Sequence, residues 1–359
     1  MLLMDDTVLL STNRDKCIQK LEVLLQFCEE SGMEINTKKT KFMAINGTVQ
    51  DKMPIHCKQH TIEHCEKYVY LGGIFTADGK MKSVIELESQ KCNTDANKFA
   101  VFIAKNISMP FVLKKKVADA AVLSSMLYSA ESWFTQDLSK IARAYHDIIK
   151  TLLGVRQTTA NMLCLIESGY HDLITTVERK RQNFLQSKLR NPDPEEPFIR
   201  AYYLCEQHNT PGYRLCEKAR KMSINYNDLR IRCHSQAMKH TKFDTYQQIN
   251  PELRVNENLY KNINLIEHHR IAATRFRLSS HNLLIERLRW ARIPRSQRLC
   301  PCTGKEIQNE YHVFNDCKFT ENLRTDLTLP FPVPLYAIFD VNNNVNEISY
   351  YVFKILERF

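Results

Sequence analysis

Apolar positions repeat every three to four residues through most of this 359-residue chain, so the amphipathic helix is its main predicted element. The first 82 residues depart from that pattern. Two short apolar runs, Met1–Met4 and Thr7–Leu10, flank the pair Asp5-Asp6 and predict a strand–turn–strand unit. Ile18, Leu21, Leu24, Leu25 and Cys28 then recur at helical spacing, with Thr12 or Asn13 placed to cap the helix and Gly32 to stop it. Phe42–Ile45 predicts a strand. Lys67–Phe75, followed by the turn signal Ala77-Asp78-Gly79, predicts a hairpin. Beyond that, helices are expected over Ser83–Lys105, Phe111–Phe134 (opened by Pro110) and Leu138–Leu153 (stopped at Gly154). Asn191-Pro-Asp-Pro-Glu-Glu-Pro197 and Asn209-Thr-Pro-Gly212 interrupt the helical pattern, because proline disfavours helix at and before its own position.

Composition narrows the function. Glycine supplies only 9 residues, roughly a third of the usual share of ~7%. That argues against glycine-rich phosphate loops and all-β folds, and neither a dinucleotide nor a Walker glycine motif occurs. Lys+Arg number 50 against 40 Asp+Glu, a net charge of +10, which favours polyanionic partners without specifying one. The 12 cysteines sit in scattered helical contexts such as Cys28, Cys92 and Cys164, as in a reducing compartment. No run approaches the ~18 apolar residues of a membrane span, and Asp5-Asp6 interrupts the N-terminal apolar stretch. The expectation is an intracellular protein of the nucleus or cytoplasm with no membrane partner.

Three groups of residues carry candidate chemistry. The first is Asp5-Asp6. Adjacent carboxylates at the tip of a hairpin suit Mg²⁺ and phosphate positioning, although an Asp-Asp turn alone is ordinary. Downstream of the pair stand Gly32-Met-Glu-Ile-Asn-Thr-Lys-Lys39-Thr40 and then Tyr70-Leu71-Gly72. In order and spacing these resemble the second half of a reverse transcriptase palm of the non-LTR (LINE-type) retrotransposon family. That family has a Tyr-x-Asp-Asp hairpin, a Gly-Leu-x-Ile-Asn-x-x-Lys-Thr segment and a Tyr-Leu-Gly primer-grip hairpin. Near the C-terminus, Arg277–Glu286 and Arg298-Leu-Cys-Pro-Cys302, with Glu310-Tyr-His312 and Cys317, resemble the same family's Arg/Cys/His tail. The resemblance implies an α+β, predominantly α-helical protein. Its parts would be a partial palm (1–82), a helical thumb (83–190), a linker with helices (191–250), an Arg-rich helical region with a zinc knuckle (251–325) and a C-terminal tail (326–359). It implies Mg²⁺ at Asp5 and Asp6, Lys39 near the triphosphate, and Tyr70, Leu71 and Gly72 on the primer. The implied partners are an RNA template and a DNA primer, or an RNA–DNA hybrid.

Two departures modify that picture. Leu3 stands where the family has tyrosine, and the chain opens almost on the Asp pair. Two-metal phosphoryl transfer needs a further carboxylate on a neighbouring strand, which the family places upstream with the fingers. The expectation is a truncated polymerase with little or no primer extension by this chain alone. The alternative is a noncatalytic RNA- or DNA-binding remnant of the element.

The second group is basic. Between Ile266 and Arg298 lie Arg270, Arg275, Arg277, Arg287, Arg289, Arg292, Arg295 and Arg298, against two acids, Glu267 and Glu286. With Lys114, Lys115 and Lys116, all of these except Arg270 are candidate phosphate contacts, since guanidinium forks fit phosphate oxygens. Trp290 and Phe276 are candidate base-stacking rings, or equally core residues of an amphipathic helix pair with Ile271, Leu283, Leu284 and Leu288. The third group is Cys300, Cys302, His312 and Cys317. Three thiolates and an imidazole make a closed tetrahedral Zn²⁺ set of the structural kind; the plain alternative is buried thiols beside a histidine. A second cluster, His56, Cys57, His60, His64 and Cys65, lies across a predicted strand and loop and is expected to be ordinary, as are His146, His171 and His281.

Overall fold

In the computed structural model the chain is described throughout except at residues 1, 4, 5, 134, 136, 222–234, 236, 239–241 and 341. It is predominantly helical with small antiparallel and parallel strand pairings. It divides into two compact units, Met1–Glu88 and Ser89–Phe359.

The first unit is the mixed α/β part. Strands β1 (Leu2–Leu3) and β2 (Asp6–Thr7) pair antiparallel, with Leu2 opposite Thr7 and Leu3 opposite Asp6. Helix α1 (Arg14–Glu30) follows. Its N-cap is Asn13, whose side chain accepts the Lys16 amide, and Gly32 in the left-handed region closes its far end. The apolar stripe expected of α1 is buried at Leu21 and Leu25. It packs on Ile55 and Cys57 of β4 (Ile55–Cys57) and Ile62 of β5 (His60–His64), with Ile18 and Phe42 at the margin. Strand β3 (Lys41–Phe42) runs parallel to β5, which also pairs antiparallel with β4. The hairpin β6 (Lys67–Tyr70) and β7 (Gly73–Thr76) completes the unit.

The second unit is helical. Helix α2 (Met81–Lys105) leads into it. Helix α3 starts at Phe111 behind Pro110, runs to Val117, widens to a π-helical turn over Ala118–Leu123 and resumes through Met126. That ends it short of the Phe134 expected from periodicity. Helix α4 (Ser139–Leu153) stops where expected, at Gly154 with φ +73°. A Cβ on Gly154 would meet the Ile271 side chain at 2.9 Å, so both conformation and space require glycine there. Helices α5 (Asn161–Ser168) and α6 (Leu173–Leu189) follow. The Asn191–Glu196 stretch is non-helical, and Pro197 takes the first position of α7 (Pro197–Gln207), where a missing N–H costs nothing. Helix α8 (Pro211–Lys221) packs with α6, and a short α9 spans Phe243–Ile249. Helix α10 (Glu267–Arg277) packs lengthwise on α13 (Val345–Arg358). The short helices α11 (Leu284–Trp290) and α12 (Glu310–Asn315) flank the cysteine loop.

The centre of this unit is charged and saturated. Glu167 is fully buried and accepts four hydrogen bonds: Arg277 Nε at 2.6 Å and Nη2 at 3.1 Å, Tyr246 Oη at 2.8 Å and Tyr260 Oη at 2.7 Å. Alongside it, Glu267 receives Arg270 through two nitrogens and Lys114 Nζ at 3.0 Å. Arg270 also donates to the Leu153 carbonyl and to Thr274. Charges are tolerated here because each has a buried partner of opposite sign. Among the described residues, no helix is long and apolar enough to cross a membrane.

Candidate functional site

In the first unit, the β1–β2 pairing brings Leu3 opposite Asp6. Asp5, the first of the expected Mg²⁺ ligands, lies outside the described residues. Asp6 is exposed on β2. Lys39 is exposed in a turn built by Asn36, whose side chain accepts the Lys38 and Lys39 amides. The Lys39 carbonyl accepts the Tyr68 hydroxyl at 3.3 Å, which ties this turn to the β6–β7 hairpin. Among the described residues no hydrogen bond or ion pair joins Asp6 to Lys39.

The hairpin reverses on two residues, Leu71 and Gly72, with φ of +48° and +79° between the paired Tyr70 and Gly73. Two positive φ values in a two-residue loop match the twist of the flanking strands, but only the glycine takes that conformation without cost. The leucine there is strained, and strain of this kind gathers where a site needs a particular surface. Tyr68, Val69, Leu71 and Phe75 are all exposed apolar side chains on this hairpin, and the Tyr70 hydroxyl is buried with no hydrogen-bond partner among the described residues. The hairpin thus presents an exposed apolar surface at the Tyr-Leu-Gly motif.

The second unit assembles the cysteine–histidine set. Cys300 and Cys302 bracket a tight turn, in which the Gly304 amide bonds back to the Cys300 carbonyl with φ +66° at the glycine. Asn309 caps α12 by accepting the His312 amide at 2.8 Å, aiming the imidazole at the turn. Cys317 follows the helix end and bonds to the His312 carbonyl. All four ligand atoms lie within 4.8 Å of one another. Cys300 Sγ and Cys317 Sγ are 3.7 Å apart, and Cys302 Sγ is 3.2 Å from His312 Nε2. Two sulfurs each about 2.3 Å from a tetrahedral zinc are expected about 3.8 Å apart, whereas a disulfide needs about 2.05 Å. The set therefore fits Zn²⁺ and does not fit a disulfide. Gln308 Nε2 donates to Cys300 Sγ at 3.5 Å, and the Glu306 carboxylate stands 2.8 Å from His312 Nδ1, off the line of a hydrogen bond. Such outer contacts orient metal ligands. Burial pushes the Cys300 and Cys317 thiols up, whereas hydrogen bonds hold the more open Cys302 thiol below the usual thiol range.

The histidine and cysteine cluster near residue 60 does not converge on a metal. Cys57 is in the core, His56 Nδ1 faces Thr61, His64 packs edge-on to Phe42, and Cys65 Sγ donates to the Phe42 carbonyl. His281 is less ordinary than its sequence context suggests: its Nε2 lies 2.9 Å from buried Glu310.

The basic candidates separate into two populations, and several expectations are corrected. Lys114 is buried and bonded to the Ile107 carbonyl and to Glu267, so it is closed to a phosphate. Lys115 donates to the Ser168 carbonyl at 2.8 Å and lies over the Tyr170 ring, which leaves Lys116 as the exposed member of the run. Arg277 is buried on Glu167. Arg298 spends its guanidinium on the Ile285 and Ile293 carbonyls, clamping α11 to the cysteine loop. Arg275 donates Nε to the Gly154 carbonyl but remains exposed. Arg287, Arg292 and Arg295 are exposed and have no carboxylate partner among the described residues. Arg289 pairs with Glu286 and lies over the ring of Trp290. Phe276 is core, while Trp290 is 59% exposed, so one of the two expected stacking rings faces solvent.

Residues 1–75 match the family model described as reverse transcriptase (RNA-dependent DNA polymerase). The chain is also similar to a putative uncharacterized transposon-derived protein of Caenorhabditis elegans, 26% identical over 162 residues. That alignment covers 43% of this chain and 56% of the relative, little more than half of its length. No solved structure matches.

Proposed function

We propose that this reverse transcriptase-like retrotransposon protein contributes the metal-binding hairpin and primer grip of a non-LTR RNA-directed DNA polymerase, joined to a zinc-stapled nucleic-acid-binding module. The observation that carries the reading is the unbroken order of Asp5-Asp6, Gly32–Thr40 and Tyr70–Gly72 inside the segment that matches the family model. In this reading Asp5 and Asp6 hold Mg²⁺, which supplies charge neutralisation at the reacting phosphate. Lys39 faces the triphosphate, and Tyr70, Leu71 and Gly72 hold the primer strand through the exposed apolar tip of the hairpin. The implied polymer is an RNA template paired with a DNA primer.

The second unit favours a further, noncatalytic reading of its own. Its exposed arginines and Trp290 flank a loop that Zn²⁺ at Cys300, Cys302, His312 and Cys317 would staple, and none of this depends on the carboxylates. Metal binding there becomes folding energy for the Arg-bearing face.

One experiment separates the readings. The full chain is titrated with a labelled RNA–DNA template-primer and then assayed for extension with Mg²⁺ and dNTPs. Extension that disappears in Asp6→Asn assigns polymerase chemistry. Binding that weakens in an Arg287→Glu/Arg295→Glu double variant, without extension, assigns the binding reading. Failure of the unmodified chain to bind the template-primer rejects both.

A further inference from the structure

The loop between α4 and α5 builds a cleft that none of the motifs above accounts for. Lys150, Gln157, Thr158, Thr159, Asn161, Lys242 and Arg289 line a cavity of about 310 Å³. Its geometry is fixed from behind. Ser280 Oγ accepts the Arg156 amide at 3.0 Å and pairs with Thr159 Oγ1 at 2.9 Å, and Arg275 holds the Gly154 carbonyl. At one wall lie Ala160 and Asn161 at the start of α5, and the N-cap residue Ala160 makes no side-chain cap hydrogen bond. The cations are the decisive feature. Lys150 is only 6% exposed, donates to the Gln157 carbonyl at 2.6 Å, and forms no ion pair with any described residue. Lys242 and Arg289 share one carboxylate, Glu286, at 2.7 Å and 3.2 Å. Lys150, Lys242 and Arg289 thus line one cavity wall, and among the described residues Glu286 is the carboxylate in ion-pair contact with this group. Burial holds both lysines below the usual lysine range, against the raising effect of Asp147 on Lys150 and of Glu286 on Lys242.

We propose that this cleft is an anion site that seats one backbone phosphate of a nucleic-acid strand, between Lys150, Lys242, Arg289 and the Thr158-Thr159 edge. Hydroxyls, main-chain amides at a helix start and clustered cations are the donors that phosphate oxygens take. Arg289 connects the cleft to the exposed face, because its guanidinium lies 5.3 Å over the Trp290 ring. A strand with a base stacked on Trp290 places a neighbouring phosphate at the cleft mouth. The inference rests on the proposal that the second unit binds nucleic acid, and it adds where one phosphate goes. It also joins Arg289 of the Arg-rich segment to a loop outside that segment, at Gln157–Asn161.

The test places a negative charge at the cleft edge without touching the buried lysines. Thr158 and Gln157 are exposed, so Thr158→Asp and Gln157→Glu should fold normally, which thermal unfolding verifies. The probes are a 5′-labelled single-stranded RNA across a salt series, and inorganic phosphate followed by its phosphorus resonance linewidth. The expected result is RNA binding by the unmodified chain, with the plot of log affinity against log salt flattened by about 0.7 in Thr158→Asp, the loss of one single-strand phosphate contact. Phosphate line-broadening should fall with it. RNA binding with an unchanged salt slope in both variants overturns the cleft proposal and leaves the binding module standing. Phosphate broadening without RNA binding rejects the strand and leaves a free-anion site. Absence of both rejects the cleft and the binding module together.

Discussion

Glu167 is the residue whose loss the second unit should tolerate least. It is fully buried, and its two oxygens accept both Arg277 nitrogens and two tyrosine hydroxyls. Glu167→Ala leaves the Arg277 guanidinium, only 2% exposed, without its counter-ion. Breaking a buried pair from one side costs about 3–5 kcal/mol. The two phenols also lose an acceptor, at about 1–3 kcal/mol each. Both retain a partial partner, Asn250 for Tyr246 and Thr274 for Tyr260, so these costs do not add in full. The expected total is about 5 kcal/mol, against about 5–15 kcal/mol for a whole domain.

Urea unfolding followed by tryptophan fluorescence reads this directly. Both tryptophans are in the second unit, and Trp133 is 1% exposed, so the signal reports that unit alone. With an m value of about 2 kcal/mol/M, a loss of about 5 kcal/mol lowers the midpoint by about 2.5 M. The companion variant, Glu167→Leu with Arg277→Met, removes both charges and should recover more than half of the loss, because apolar replacement of a whole pair is close to neutral. A midpoint for Glu167→Ala within about 0.5 M of the unmodified chain would show that the Glu167–Arg277 pair does not hold the second unit together.

Purified protein should carry about one zinc per chain, and a strong chelator should lower the second unit's unfolding midpoint; a metal content near zero, by elemental analysis, rejects the site. Gly154→Ala should destabilise by about 1–3 kcal/mol, from a left-handed φ and a Cβ 2.9 Å from Ile271, and unchanged stability in the same urea assay would contradict this. Burial holds His146, His171 and His269 below the free histidine range. Their folded values are depressed, so the stability they provide is present above about pH 6.5 and is lost as pH falls below it; melting should drop from about pH 7.5 to about pH 5.5, and a rise over that interval would reverse the sign. In the first unit, hydrogen bonds from Ser83, the Lys80 amide and Thr76 hold Asp78 down to about 2. Asp78→Asn should therefore weaken the turn at neutral pH and make no difference below about pH 2, measured by amide exchange around Thr76–Ser83.

What the sequence disclosed came from local rules. The α1 stripe, its cap at one of the two expected residues (Asn13) and the Gly154 stop each depend on residues a few positions apart, and each stands where spacing put it, whereas the hairpin reverses at Leu71-Gly72 and not at the Ala77–Gly79 turn signal. The cysteine–histidine set was legible for the same reason, since a short loop and one helical turn bring its four members together. The fate of individual charges was not legible. Arg277 finds Glu167 at a separation of 110 residues and Lys114 finds Glu267 at 153, and no local pattern signals either meeting. The lysine run at 114–116 looked uniform in sequence, yet its members occupy three different environments because a helix points successive residues about 100° apart. Trp290 illustrates the converse: it ends a helix too short to carry an inward stripe, and its ring is left in solvent.

The division of the arginines also constrains any binding reading. A buried cation must be neutralised inside the chain, and Arg270, Arg277 and Arg298 satisfy that with carboxylates and carbonyls, which removes them from any external contact. Among the described candidates, the cations without a carboxylate partner are Lys116, Arg275, Arg287, Arg292 and Arg295 at the surface, and Lys150 at the cleft. Net charge alone would spread the attraction over every basic residue in the Arg-rich segment. Within that segment the structure leaves it to Arg275, Arg287, Arg292 and Arg295 at the surface and to Arg289 at the cleft. Substitutions elsewhere in the segment should therefore act on stability, and substitutions at these positions on the salt dependence of binding.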